Sequence, residues 1–392
     1  MSGVKYFIEP AQGVLTRATA KRHHIIFGRR GSGKSSLLNK LQNEASVNRI
    51  PVAFVDMEEL KGHSFPDVLI SVLIKVLSGF DEWLQTVAIQ SRAKKSFWNT
   101  LFGKPPQKGA LNRVGASTLG KMVKAQIEEL NQLLFSPESS SNTHTKEKRV
   151  DNKSEGSAKA GAKVGVSGTE LNAELASSKS DAVSEGITLT QQYSSSKTEV
   201  LHRKIIVLKK LLIDLCSYSG GHGYILLDDL YHIRTSSQAD VIDYLHRVCK
   251  GTGMWLKIGT IRHRTRYYLS GDPPRGMKIG DDADDIDLDV TLEKYQITKR
   301  FLLRVLEQFC SEKNIKLSDI ITDGGKDRLV LASGGVARDF LTSFRRSINI
   351  AKERLVNVDS AKGPKIGAED VNVASGENDS NKREEFDLAP AS

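Results

Sequence analysis

The stretch HHIIFGRRGSGKSSLLNKL, His23 to Leu41, runs from a short β-type apolar segment through a glycine-rich turn into an amphipathic helix. Within it, Gly28 to Ser35 fits the pattern G-x-x-x-x-G-K-[ST] at every position. Glycine lets such a loop wrap back, so that successive backbone N–H groups face one phosphate while the helix starting near Lys34 adds its positive dipole end. Lys34 is then placed to neutralise β- and γ-phosphate oxygens, and the Ser35 hydroxyl to ligate Mg2+. The candidate nucleotide-binding residues here are Gly28, Arg29, Arg30, Gly31, Ser32, Gly33, Lys34, Ser35 and Ser36.

A phosphate-binding loop needs a second element to hold the metal and activate the attacking water, and an apolar strand ending in acids supplies both. Tyr224 to Leu230, YILLDDL, reads as a buried parallel strand of that kind. Asp228 is its candidate Mg2+ partner and Asp229 its candidate base. A further strand, Met254 to Ile261, leads into Arg262, His263 and Arg264. Thr260, near its end, is a candidate contact for the γ-phosphate or its water, which makes the catalytic set Lys34, Asp229 and Thr260. Arg262 and Arg264 are candidate arginine fingers toward a nucleotide on a neighbouring subunit; surface ion pairing or polyanion binding explains them equally well.

Outward from these motifs, strands are expected at Pro51 to Met57 and Ile286 to Leu292, and helices at Phe65 to Leu84, Thr118 to Phe135, Val200 to Tyr218 and Gln238 to Lys250. Strands alternating with helices predict an α/β fold with a parallel sheet flanked by helices. Beyond Glu293 only helical patterns continue, Lys294 to Cys310 and Val336 to Arg354, linked by a polar region with Asp323-Gly-Gly, so a small helical lid domain is expected. There Ser333-Gly-Gly-Val-Ala-Arg338 puts an arginine in the first turn of a helix. Arg338 either swings onto the phosphates when the lid closes or serves in a structural salt bridge. The expected segments are 1–84, first half of the phosphate-loop domain; 85–135, a basic, partly helical insertion; 136–199, a low-complexity flexible insertion; 200–293, second half; 294–356, lid; and 357–392, a polar tail.

Composition narrows the function classes. The net charge is +10, and from Trp83 to Ile127 eight Lys or Arg occur without one Asp or Glu. Within Ser91 to Phe102 the residues Phe97, Trp98, Leu101 and Phe102 share a helical face, which suits packing on the chain's own domain, DNA or another nucleic acid, an anionic membrane or a protein partner. A weak hairpin is conceivable around AKAGAKVGV inside the low-complexity stretch. No apolar run approaches the ~20 residues of a membrane span, so no integral membrane segment is expected. The N-terminus lacks a secretory pattern, and Cys216, Cys249 and Cys310 are far apart in helical patterns, so buried thiols in a cytoplasmic protein are expected. No HExxH or related ligand pair suggests zinc. A GTPase would show N/TKxD after the acidic strand, and it is absent. In transporters a Ser-Gly-Gly signature precedes that strand instead of following it.

With both motifs, Thr260 and Arg338 in place, the chain resembles the AAA+ ATPases among the P-loop NTPases, particularly the origin-recognition-like branch, and the neighbouring STAND-like signalling ATPases. The resemblance spans Tyr6 to Arg354 apart from the insertions. It implies Gly28 to Ser35 as the first motif, Asp228 and Asp229 as the second, Thr260 as first sensor and Arg338 as second sensor. It further implies ATP and Mg2+ as cofactors, ATP hydrolysis, a homo-oligomer and remodelling of a partner, with DNA association a candidate. Most AAA+ members carry Asp-Glu where this chain has Asp-Asp, a pair closer to the signalling branch. The alternative is therefore an ATP-gated scaffold or sensor with slow or no hydrolysis, for example in bacterial antiviral defence.

Overall fold

The computed structural model describes residues 7–93, 113–136, 197–357 and 363–376. The basic aromatic segment from 94 to 102, the weak hairpin and almost all of the low-complexity stretch lie outside them.

Five parallel strands form the central sheet: β1 (His24–Phe27), β2 (Val52–Asp56), β3 (Gly223–Asp228), β4 (Met254–Thr260) and, after the two-residue strands β5 (Tyr268–Leu269) and β6 (Arg275–Gly276) of a small hairpin, β7 (Asp284–Asp287). Their order is β2-β3-β4-β1-β7. The glycine-loop strand β1 thus has β4 on one side and β7 on the other, and β4 separates it from the acidic strand β3. Neighbours on opposite sides of one strand open a crevice beyond its carboxyl end, where ligands of open α/β sheets bind. The final strand was expected over 286–292. It forms earlier, because Asp284 to Asp287 pairs in register with His24 to Phe27. Its acids suit an edge, since Arg22 pairs with Asp284 at 3.0 Å and Arg262 with Asp285 at 2.9 Å, and charge there discourages further strand pairing.

Strand alternation assigns the two faces. Ile26, Leu226, Val52 and Ile286 pack with α2 (Lys34–Val47) and the short α1 (Val14–Thr19). Ile25, Phe27, Ala53, Ile225, Leu227 and Ile258 point the other way, into the larger core. That core is covered by α3 (Asp67–Ala93), α4 (Arg113–Phe135), α5 (residues 197–217) and α6 (Thr235–Cys249). β3 is buried at all six positions, which explains its uninterrupted apolar sequence.

α4, expected inside an insertion, sends Leu119, Val123 and Leu130 into the main core. At the C-terminal end of α4, the Lys197 ammonium of α5 donates to the Leu134 carbonyl at 3.5 Å and to Asp67 at 3.0 Å. The end of α4 and the start of α5 therefore lie together.

The C-terminal helices are α7 (Tyr295–Ser311), α8 (Leu317–Ile320), α9 (Asp323–Ala332) and α10 (Ala337–Asn357), with a second core of Leu302, Leu329, Phe340 and Phe344. Asp323-Gly-Gly begins α9 because the Thr322 hydroxyl caps it, accepting from the Gly325 N–H at 3.1 Å. α11 (residues 368–376), which falls in the expected polar tail, belongs to this unit: Ile366 and Val371 are buried in its core and Arg354 pairs with Asp370 at 3.0 Å. All three cysteines are free and buried, and no described helix is long and apolar enough to cross a membrane.

Candidate functional site

The glycine loop joins β1 to α2 beneath the helical unit. The Gly28 N–H donates to the Thr260 carbonyl at 3.2 Å, tying the start of the loop to the end of β4. Gly31 and Gly33 take left-handed φ values of 86° and 100°, and Gly33 caps α2. A Cβ on Gly31 would come within 2.6 Å of the Arg338 Cβ, so this glycine also lets α10 approach the loop. Arg338 thereby stands at the cavity.

Lys34 is buried, at 4% exposure, and its ammonium donates to the Gly28 and Arg29 carbonyls at 3.0 and 3.2 Å. Asp229 lies 3.9 Å away. Burial pulls the Lys34 pKa down, and Asp229, Asp228 and Asp289 pull it back up.

The two acids that end β3 differ. Asp228 is buried beside Ser35, and its Oδ1 has no hydrogen-bond partner among the described residues. Burial raises its pKa to about 6; Ser35 opposes the rise, and Asp229 and Asp56 reinforce it. Asp229 has a left-handed φ of 53°, which turns the chain out of the strand, and its side chain lines the cavity. Aspartate tolerates that conformation better than most residues.

The cavity is about 650 Å3 and sits beyond the carboxyl ends of β1 and β3. Gly31 to Ser36, Asp229 and Arg338 form one side; Phe7, Ile8, Leu288, Phe301 and Leu341 form an apolar side. Of the sequence candidates, the structure thus brings together the loop, Asp229 and Arg338, with Asp228 directly beneath. Thr260 is fully buried, and its hydroxyl lies 2.5 Å from that of Thr265. Arg262 stands over the Phe27 ring at 3.9 Å and pairs with Asp285. Arg29 turns away from the cavity toward Asp289 and the Val290 and Gly334 carbonyls, linking loop and helical unit. Arg264 faces a neighbouring cleft, and Arg30 lines both that cleft and the cavity.

Glu58 and Tyr231 also line the cavity and were not singled out in the sequence. Glu58 follows Asp56, whose carboxylate accepts its N–H at 2.9 Å, and Asp56 is in register with Asp228. That neighbourhood comes from the pairing of β2 with β3, which no local pattern in the sequence announces.

Among the described residues, no three His, Cys, Asp or Glu side chains are grouped to hold a metal by themselves. Mg2+ does not require such a cage, because it takes one or two protein oxygens and completes its shell with phosphate and water. The Asp228 carboxylate, which neighbours Ser35 and has one oxygen without a partner among the described residues, fits that donor set. No protein-family model and no curated protein matches the chain.

Proposed function

We propose that this protein binds ATP with Mg2+ between the glycine loop and the helical unit, and hydrolyses it as an AAA+-like ATPase whose nucleotide state controls self-assembly and remodelling of a partner. The observation that carries this reading is the buried Asp228 carboxylate with an unpartnered oxygen, beside Ser35 and one strand from a loop whose lysine rests on its own carbonyls. Mg2+, when bound, neutralises and orients phosphate oxygens, and Ser35 with Asp228 would hold it. Lys34 exchanges the Gly28 and Arg29 carbonyls for phosphate oxygens, and the loop N–H groups supply the remaining donors. The apolar side, with Phe301 and Leu341, receives the flat base. Asp229 accepts the proton of the attacking water, and Arg338 brings positive charge from the helical unit when it closes. The helical unit acts as a lid because Arg29 and Arg338 both join it to the loop.

The test is ATP turnover by the purified chain together with its mass in solution with and without ATP. Asp229→Asn lowers kcat by about 100-fold or more while binding persists; turnover that survives Asp229→Asn and Lys34→Ala together would discard the proposal.

A second reading is an ATP-gated scaffold or sensor. The Thr260 hydroxyl engages Thr265, and an Asp reaches less far toward water than a Glu, so binding without fast turnover is favoured by those two residues. In that case Asp229→Asn still assembles on addition of ATP.

A further inference from the structure

Next to the nucleotide cavity is a second cleft of about 550 Å3. The segments following four strands build it: Arg30 after β1, Lys61 after β2, Tyr231 and His232 after β3, and His263 and Arg264 after β4. No carboxylate lines it. Arg29, also on its wall, is held by Asp289, but Arg30, Lys61 and Arg264 are exposed and make no ion pair among the described residues. Elsewhere Arg22, Arg262 and Arg275 each have an aspartate within 3.0 Å. Three like charges gathered in one concave site without counter-charge repel one another and focus a positive field, and an anion bound among them relieves that cost.

From this convergence we propose that the cleft is a second phosphate-binding site beside the glycine loop, sharing Arg30 with it, which takes the phosphodiester of a nucleic-acid strand or a free polyphosphate. The chain is also positive overall, at +10, and the half-buried Tyr231 and His232 rings, 4.4 Å apart, put aromatic surface beside the cations, the pairing that serves strand backbone and bases together. The site goes beyond the nucleotide reading and stands whether or not ATP is turned over, because Lys61, Arg264 and His263 have no place in the first cavity.

The experiment is a fluorescence-anisotropy titration of a labelled 20-nucleotide single strand with the full chain over a range of NaCl, repeated with unlabelled tripolyphosphate by calorimetry. Lys61→Ala weakens strand binding by about tenfold and reduces the salt slope by about 0.7, one phosphate contact's worth. Arg264→Ala does the same. Lys121→Ala with Lys210→Ala, which removes two exposed charges elsewhere, changes affinity less than twofold. If the strand is insensitive to Lys61 and Arg264 but tripolyphosphate binding falls with each, the occupant is the free ion and the site still stands. If neither probe responds, or the control pair lowers affinity as much, the proposal is overturned. Lys34→Ala separates the two readings, because it lowers ATP affinity by about 100-fold or more and leaves the strand's affinity intact.

Discussion

The two ends of the central sheet each bury a lysine, and the two differ in partners and in the space around them. At the carboxyl end, Lys34 donates to the Gly28 and Arg29 carbonyls, but it also has Asp229 at 3.9 Å and borders a cavity. At the amino end, Lys257 is fully buried and donates to the Ala20 and Arg22 carbonyls at 2.8 Å, with the His24 Nδ1 at 2.9 Å. Burial alone lowers the Lys257 pKa to about 7. Both ammonium groups are satisfied by carbonyl oxygens. Only Lys34 has carboxylates that keep it charged and space into which its partners can be exchanged, so burial of a lysine does not by itself mark a site.

Breaking the carboxyl end gives the largest effect. Lys34→Ala removes a charge-assisted contact to phosphate worth about 3 kcal/mol, so ATP affinity falls by about 100-fold or more in a titration with a fluorescent ATP analogue.

The amino end answers in stability instead. The folded-state pKa of Lys257 is depressed below its ordinary 10.5, so between about pH 7 and 10.5 the unfolded chain holds a proton that the folded one does not, and stability rises with pH across that window. His24, held at about 3 by burial and by Lys257, stays neutral throughout it. Urea unfolding should show a gain on the order of 2 kcal/mol from pH 7 to 9 that is missing in Lys257→Met. A Lys257→Met slope equal to that of the parent chain would assign the pH dependence elsewhere.

The same contrast explains what the sequence could disclose. Lys34 was legible because its neighbours, Gly31, Gly33 and Ser35, form a local pattern dictated by phosphate geometry. Asp228 and Asp229 were legible because an apolar run that ends in acids is rare. Lys257 carried no signal, since its partners at Ala20, Arg22 and His24 become neighbours only through the pairing of β1 with β4. The place of Glu58 beside the cavity, set by the pairing of β2 with β3, was equally hidden, and so was the engagement of the Thr260 hydroxyl by Thr265, which depends on the short turn after β4. The helix beginning at Asp323 was masked by its two glycines, and its cap at Thr322 outweighs their poor propensity. The helical piece at 368–376 is short and polar in composition, and it is anchored by Val371, Ala374 and the pairing of Asp370 with Arg354, partners that only the fold brings together.

A smaller effect tests the cost of readiness at the carboxyl end. Because the Asp228 pKa is raised to about 6, the folded state keeps a proton between pH 3.8 and 6 that the unfolded chain has lost, so its contribution to stability falls as pH rises through that range and stays unfavourable above it. Asp228→Asn therefore stabilises the nucleotide-free chain at pH 7.5 by about 1–2 kcal/mol, read as a higher Tm, while Mg2+-dependent ATP binding is lost. In the parent chain that binding weakens about tenfold per unit as pH drops below 6, since a protonated carboxyl is a poor Mg2+ ligand. A flat profile from pH 7 to 5 would show that Asp228 does not hold the metal.

The smallest effect distinguishes two glycines of one loop. Gly33 has a φ of 100° with nothing within 4 Å of an added Cβ, so Gly33→Ala costs only backbone strain, about 1 kcal/mol. Gly31 has a similar φ of 86°, yet its added Cβ would meet the Arg338 Cβ at 2.6 Å and Val336 at 3.2 Å. Gly31→Ala must strain the loop and push α10 away from it, which adds about 1 kcal/mol or more. The expected signature is a lower Tm than Gly33→Ala together with faster proteolytic cleavage between Leu288 and Tyr295, the connector from the sheet to α7. Equal melting and equal cleavage would mean that the approach of Arg338 to the loop is incidental. A difference confined to Gly31 ties the helical unit to the loop that the lysine serves, a coupling the amino end of the sheet has no means to make.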